Sequence, residues 1–183
     1  MHQHAFTNGY SLKEEIAHSV THGIGLLLSV IGLATLIVYS SLYGDAWHIV
    51  SSSIYGATLI VLYSASTLYH AITIPGIKKA LQKLDHAAIF LLIAGTYTPF
   101  TLVNLRGGWG WTLFGMVWSI AIAGMVMELI VQKRYRRISI GLYLGLGWLV
   151  MIAIEPMIDK VAPGGLLLLL IGGLFYSLGV IFY

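Results

Sequence analysis

The chain has 183 residues, of which 58% are hydrophobic and only 9% are charged. Charged residues make up roughly a quarter of a typical soluble domain, so this composition excludes a soluble globular protein. Because the chain contains no cysteine, disulfides and thiolate metal sites are excluded, and any metal must be held by nitrogen and oxygen ligands.

Apolar runs long enough to cross a bilayer recur along the chain, and such a helix needs roughly 20 mostly apolar residues. We predict an all-α, polytopic transmembrane helix bundle that forms a single domain over residues 1–183. We expect no removable signal peptide, because the N-terminus lacks a basic region followed by a short apolar run. The predicted spans are 17–41, 48–72, 86–104, 110–131, 138–154 and 164–183.

The basic residues fall mainly on one side of the predicted membrane. Cytoplasmic loops carry an excess of Lys and Arg, so we predict that the N-terminus and the loops after spans two and four are cytoplasmic. The net charge of +3 then follows from topology, and we expect no nucleic-acid partner. The residues on the predicted cytoplasmic side are Lys13, Lys78, Lys79, Lys83, Lys133, Arg134, Arg136 and Arg137.

Two local features predict how the helices bend and pack. Pro99 lies inside span three and should kink it, which frees a backbone carbonyl that Thr96 or a neighbouring helix would satisfy. Gly141 and Gly145 are four residues apart, a spacing that permits a close helix contact. Glycine is common in membrane helices, so we do not expect this pair alone to mark a tight crossing.

Polar side chains from the first three spans are predicted to share one end of the bundle. Residues four apart lie on one helix face, which pairs His18 with His22 and Ser66 with His70. Ionisable residues inside spans are costly and usually mark sites or pathways. Imidazoles and carboxylates suit zinc, with histidine as ligand and a carboxylate orienting a bound water. The set is Glu15, His18, His22, Ser66, His70, Asp85 and His86.

A simpler interpretation exists for some of these residues. Glu15 and His18 would also suit the headgroup region, where they need no special role, and His86 would also suit a position that points to the loop and binds only water. For Ser66, His70 and Asp85 we favour a functional interpretation, because they flank one short predicted loop and must lie near each other.

The same residues resemble motifs of the hemolysin III-like branch of the progestin and adipoQ receptor family, which also contains the adiponectin receptors. Ser66-Thr-Leu-Tyr-His70 matches the family's Ser-x3-His element in span two, and Asp85 matches an Asp near the start of span three. Glu15 and His22 resemble a Glu-x6-His segment in span one. The wider superfamily includes alkaline ceramidase-like membrane hydrolases.

This resemblance implies seven spans, a cytoplasmic N-terminus and a zinc ion near the cytoplasmic face. Carried over to this chain, His70 would be a direct zinc ligand, and His22 a further metal-binding residue. Asp85 and Ser66 would be the candidate catalytic residues beside the metal.

The chain departs from the family pattern at its end. The family carries a His-x3-His pair in span seven, whereas this sequence stops at Tyr183 after six predicted spans. We therefore predict a truncated chain whose remaining ligands lie on a missing seventh helix. The alternative is a different site, in which His18 and His22 join His70.

Three functions remain open for such a protein. The first is a zinc-dependent hydrolase of lipid amides or esters, in which Asp85 orients water or moves a proton and Ser66 supports the metal shell or the developing oxyanion. The second is a cytolytic pore-forming protein, and the third is a receptor or membrane-homeostasis protein with structural zinc. In each case we expect a multi-pass plasma-membrane protein with lipid partners, and an oligomer stays open.

Overall fold

The structure is a computed structural model that describes residues 10–130 and 136–180. All regular elements in these ranges are helical, and six helical segments are long and apolar enough to cross a membrane, which confirms the predicted fold class. Lys133, Arg134 and Tyr183 lie outside the described residues, and the cytoplasmic N-terminus stays a prediction. The α-helices are α1 (Leu12–Tyr43), α2 (Ala46–Ala71), α3 (Pro75–Pro99), α4 (Gly108–Ile130), α5 (Arg136–Gly147), α6 (Ile154–Lys160) and α7 (Pro163–Val180).

Helices α1 and α2 begin at residues whose side chains satisfy the free amides of the first turn. At α1, the Ser11 amide donates to Glu14 Oε2 at 2.7 Å, and the Glu14 amide reaches Ser11 Oγ at 3.4 Å. At α2, Asp45 Oδ1 accepts from the amides of Trp47 at 2.9 Å and His48 at 3.1 Å. Both arrangements are capping boxes, which fix where each helix starts.

The connection between α2 and α3 corrects the prediction of a basic loop. Helix α2 ends at Ala71 and α3 begins at Pro75, which is preorganised for the first turn of a helix. Lys78, Lys79 and Lys83 therefore lie on α3 and not in a loop. Lysine interrupts an apolar run but is a good helix former, so hydropathy placed the start of the span at 86 and missed the start of the helix at Pro75.

Helix α3 continues past Pro99 into a π-helical segment, Phe100–Asn104, so span three is irregular at this point. Proline offers no amide to the carbonyl of Gly95, as the sequence predicted. The Thr96 hydroxyl, however, donates to the carbonyl of Ile93 at 2.7 Å. Thr96 thus satisfies a different carbonyl from the one that Pro99 frees.

The first four helices pack in chain order, α1 on α2, α2 on α3 and α3 on α4. One close approach is at Gly95, where an added Cβ would overlap the side chain of Thr58 on α2. At Gly141 and Gly145 an added Cβ would meet no atom within 4 Å among the described residues, so neither glycine marks a close helix crossing there.

Span five is broken, and Tyr97 of α3 stabilises the break. A 3-10 segment, Leu149–Ala153, separates α5 from α6. The hydroxyl of Tyr97 lies 2.9 Å from the carbonyl oxygen of Leu146 and 2.8 Å from that of Gly147, and it accepts from the Val150 amide at 2.9 Å. Irregular backbone at membrane depth needs such partners inside the protein.

Candidate functional site

The first three helices bring their polar side chains together at one end of the bundle, as the sequence predicted. This end, where α1 begins and α2 connects to α3, is called the basic end below. The residues there form the polar cluster: Glu15, His18, His22, Ser66, His70, Lys78, Asp85 and His86.

A buried carboxylate–imidazole pair lies at the centre of the polar cluster. Nδ1 of His70 lies 2.7 Å from Oε2 of Glu15, and the two side chains are 9% and 2% exposed. Glu15 is therefore enclosed by protein, while its depth in the membrane stays a prediction. A carboxylate this deep needs partners to replace water, and His70 supplies one of them.

Lys78 supplies the second partner of Glu15. Its Nζ lies 3.0 Å from Glu15 Oε1, and its side chain is 3% exposed. Nζ also donates to the carbonyl of Tyr69 at 2.8 Å and to that of Ile72 at 3.4 Å. Since Oε1 has no hydrogen-bond partner among the described residues, its contact with Lys78 is an ion pair without hydrogen-bond geometry.

Sequence reasoning missed the role of Lys78, because all the lysines of this segment were used as evidence for topology. The position of Lys78, one turn after Pro75, could have indicated this role. If Pro75 begins a helix, one side chain of its first turn faces the bundle while the neighbouring side chains stay exposed. Lys79, the next residue, is indeed exposed.

Two further imidazoles of α1 surround His70. The ring centroid of His18 lies 4.8 Å from that of His70 at an interplanar angle of 72°, and the His22 ring is stacked on His70 at 5.6 Å and 11°. Nδ1 of His18 is buried and has no hydrogen-bond partner in the described part of the chain. Tyr10 packs edge-on against His18, with centroids 5.2 Å apart.

The predicted pair of Ser66 and Asp85 also meets. The Ser66 hydroxyl donates a hydrogen bond to Oδ1 of Asp85, and Nδ1 of His86 lies 3.6 Å from Oδ2 of the same carboxylate. Because Ser66 lies one turn before His70 on α2, this pair occupies the same face of α2 as the Glu15–His70 pair.

The donor types of the polar cluster suit zinc, but their arrangement fits only part of a zinc site. Two imidazoles that share a zinc ion at Zn–N ~2.0–2.1 Å have centroids roughly 5 Å apart, a spacing like those between His70 and the two α1 histidines. Within residues 10–130 and 136–180, however, no three His, Asp or Glu side chains are arranged to hold a metal ion. The structure supplies one imidazole, His70, that a buried carboxylate orients through Nδ1.

The opposite end of the bundle has different chemistry. Nδ1 of His48 lies 2.8 Å from Oδ1 of Asp45, and both side chains are well exposed. The hydrogen bond from the His48 ring, followed by those from backbone amides, holds the pKa of the Asp45 carboxyl below its usual value. This contact is part of the α2 capping box and is remote from the polar cluster.

Six apolar helical segments with a buried polar cluster at one end define a polytopic integral membrane protein. The profile of the haemolysin-III related family matches residues 10–183, and the chain belongs to that family.

Several relatives align over most of this chain. It is 47% identical to a hemolysin-3 homolog of Bacillus subtilis (strain 168) over 174 residues, which cover 95% of this chain and 82% of the relative. It is 45% identical to hemolysin-3 of Bacillus cereus over 172 residues, 94% of this chain and 78% of that protein. It is 25% identical to the human monocyte to macrophage differentiation factor over 175 residues, which cover 93% of this chain and 71% of that protein. No solved structure matches the chain.

Proposed function

We propose that this integral membrane protein holds a zinc ion in the polar cluster, with His70 as a direct ligand and His22 as a further one. The observation that carries the proposal is the buried hydrogen bond between His70 and Glu15. Histidines that bind metals almost always donate their other ring N–H to a carboxylate, carbonyl or water, which orients the ring. The family resemblance adds two ligands on a seventh span.

The reaction that we propose is hydrolysis of a lipid amide or ester. Zinc, when bound, would polarise a carbonyl group and make water more acidic. Asp85 would accept a proton from water, and the hydrogen bond from Ser66 would hold its carboxylate in place. Both side chains lie at the basic end of the bundle, and we propose that a lipid substrate reaches them from the lipid phase.

The hydrolase proposal is tested by turnover of a panel of lipid amides and esters in detergent micelles. We expect activity in the wild type that a chelator removes and zinc restores, and a loss of at least about 100-fold in Asp85→Asn. His48→Ala, at the opposite end, is the matched control and should stay active. Metal binding without turnover would contradict the hydrolase and favour structural zinc in a receptor.

A pore is the second candidate, because two of the relatives are named hemolysins. Dye release from liposomes that contain the purified protein separates it from the hydrolase. Release that His70→Ala leaves unchanged would favour a pore that does not depend on the polar cluster, whereas intact liposomes would exclude one.

The orientation that we propose places the basic end in the cytoplasm and the protein in the plasma membrane. The chain has no cysteine, so single cysteines give an unambiguous label. A membrane-impermeant maleimide should label Arg106→Cys in intact cells and Lys79→Cys only after permeabilisation. The reverse pattern would contradict this orientation.

A further inference from the structure

Lys78 is the one described lysine whose side chain is buried, and it is a member of the polar cluster to which the family resemblance assigns no role. We propose that Lys78 is a positioning residue that fixes the tautomer of His70 through Glu15. The consequence for zinc rests on the proposed function, whereas the effect on His70 stands without it.

The first step is the anchoring of the Lys78 ammonium. Two of its contacts are the carbonyl oxygens of Tyr69 and Ile72, at 2.8 and 3.4 Å, which flank His70 at the end of α2. The carbonyls near a helix C-terminus lack intrahelical partners and carry partial negative charge, so they hold a cation there. The charge of Lys78 is thus fixed beside the backbone that carries His70.

The second step is the division of the Glu15 carboxylate between two partners. Oε1 faces Lys78 at 3.0 Å and Oε2 faces Nδ1 of His70 at 2.7 Å. An ionised carboxylate accepts hydrogen bonds and cannot donate them. The short contact to Oε2 therefore requires that Nδ1 of His70 carries the hydrogen.

The third step concerns the other nitrogen of His70. In a neutral imidazole one ring nitrogen is the donor and the other the acceptor, so a hydrogen on Nδ1 leaves the lone pair on Nε2. That lone pair is what a metal ion or a proton donor would meet. Without the positive charge of Lys78, no described residue holds Oε1 of Glu15 in place, so the carboxylate can turn and its hydrogen bond to Nδ1 of His70 weakens. His70 is then expected to shift toward the Nε2–H tautomer, which free histidine side chains favour.

Lys83 provides a matched control on the same helix. Its Nζ donates to the carbonyl of Leu129 at 3.0 Å, at the end of α4, and within the described residues it forms no ion pair. Lys83 therefore shares the helix-end contact of Lys78 and lacks the carboxylate. Lys83→Gln therefore controls for the loss of a lysine contact to a helix end, and Lys78→Arg separates the charge of Lys78 from its contacts to the carbonyls beside His70.

The test is nitrogen NMR of the metal-free protein with ¹⁵N-labelled histidine at one fixed pH. The His70 signals are assigned by their loss in His70→Ala. We expect the Nδ1–H tautomer in the wild type, in Lys83→Gln and in Lys78→Arg, which keeps the charge. Lys78→Gln keeps a hydrogen-bond donor but not the charge, and it should shift His70 toward Nε2–H.

A Lys78→Gln protein that keeps the Nδ1–H tautomer would overturn the proposal, and so would a wild type with hydrogen on Nε2. If Lys78→Gln does not fold, Lys78→Met takes its place in the same measurement and should also shift His70 toward the Nε2–H tautomer. A complete shift to Nε2–H in Lys78→Arg would overturn the proposal, because arginine keeps the charge. Zinc affinity should fall roughly 10–100-fold in Lys78→Gln and stay unchanged in Lys83→Gln. A wild type that binds no zinc yet shows the expected tautomers would refute the zinc site alone.

Discussion

Replacing Glu15 by glutamine removes the buried charge that faces both His70 and Lys78. The glutamine side chain oxygen still accepts from Nδ1 of His70, so that hydrogen bond survives. The side chain of Lys78 is 3% exposed, and its ammonium group keeps only its two carbonyl contacts. The variant therefore tests the ion pair and leaves the shape of the site almost unchanged.

The expected cost follows from this burial. Removing one partner of a buried ion pair destabilises a protein by about 3–5 kcal/mol, because the other charge stays without compensation. Because the hydrogen bond to His70 is retained, we expect Glu15→Gln to lower the free energy of unfolding by about 3 kcal/mol, at the lower end of that range. Unfolding in mixed micelles with increasing dodecyl sulfate, followed by helical circular dichroism, measures the difference in unfolding free energy.

Glu14→Gln is the control for this measurement. Glu14 is exposed and closes the α1 capping box, in which glutamine serves as well as glutamate. Glu14→Gln should therefore change the free energy of unfolding by no more than about 0.5 kcal/mol. Adding Lys78→Met to Glu15→Gln should recover part of the loss, since no charge is then unpaired. Equal stabilities of the Glu14 and Glu15 variants would refute a buried ion pair.

Three other features give measurable expectations. Gly95→Val should lower the free energy of unfolding by about 1–3 kcal/mol, because the valine side chain would overlap α2. Gly141→Ala points into open space and should change it by no more than about 1 kcal/mol. Thermal unfolding compares the two variants, and equal losses of stability would contradict the packing. Tyr97→Phe should cost about 1–3 kcal/mol and speed hydrogen exchange at the break in span five, where unchanged exchange would argue against its role. The His48 ring lowers the pKa of the Asp45 carboxyl from 3.8 in the folded protein. The ionised carboxylate therefore stabilises the fold above about pH 4, and this stabilisation is lost as the pH falls through the pKa of the folded state. Unfolding curves of the wild type and of Asp45→Asn should converge below the pKa of the folded state.

The spans were predictable because lipid imposes a simple demand of roughly 20 apolar residues on every crossing helix. The ends of the helices were less so, because polar residues stop an apolar run without stopping a helix. Helix α3 begins at Pro75, well before the predicted start of its span at 86, and the fifth span continues to Lys160, past its predicted end at 154.

The polar cluster was predictable in its members and less so in its pairing. Ser66, His70 and Asp85 had to meet, because the directions of spans two and three bring them to one end. The choice of Glu15 as the partner of His70 depends on the rotation of α1 about its own axis, which no spacing in the sequence determines. Lys78 was missed because its charge had already been explained by topology.

The most direct test of the central claim is the zinc content of the purified protein, measured by elemental analysis after removal of loosely bound metal. We expect about one zinc ion per chain in the wild type and in His48→Ala, and strong loss in His70→Ala. A wild type without zinc, or a His70→Ala protein that keeps its zinc, would contradict a metal site at the polar cluster.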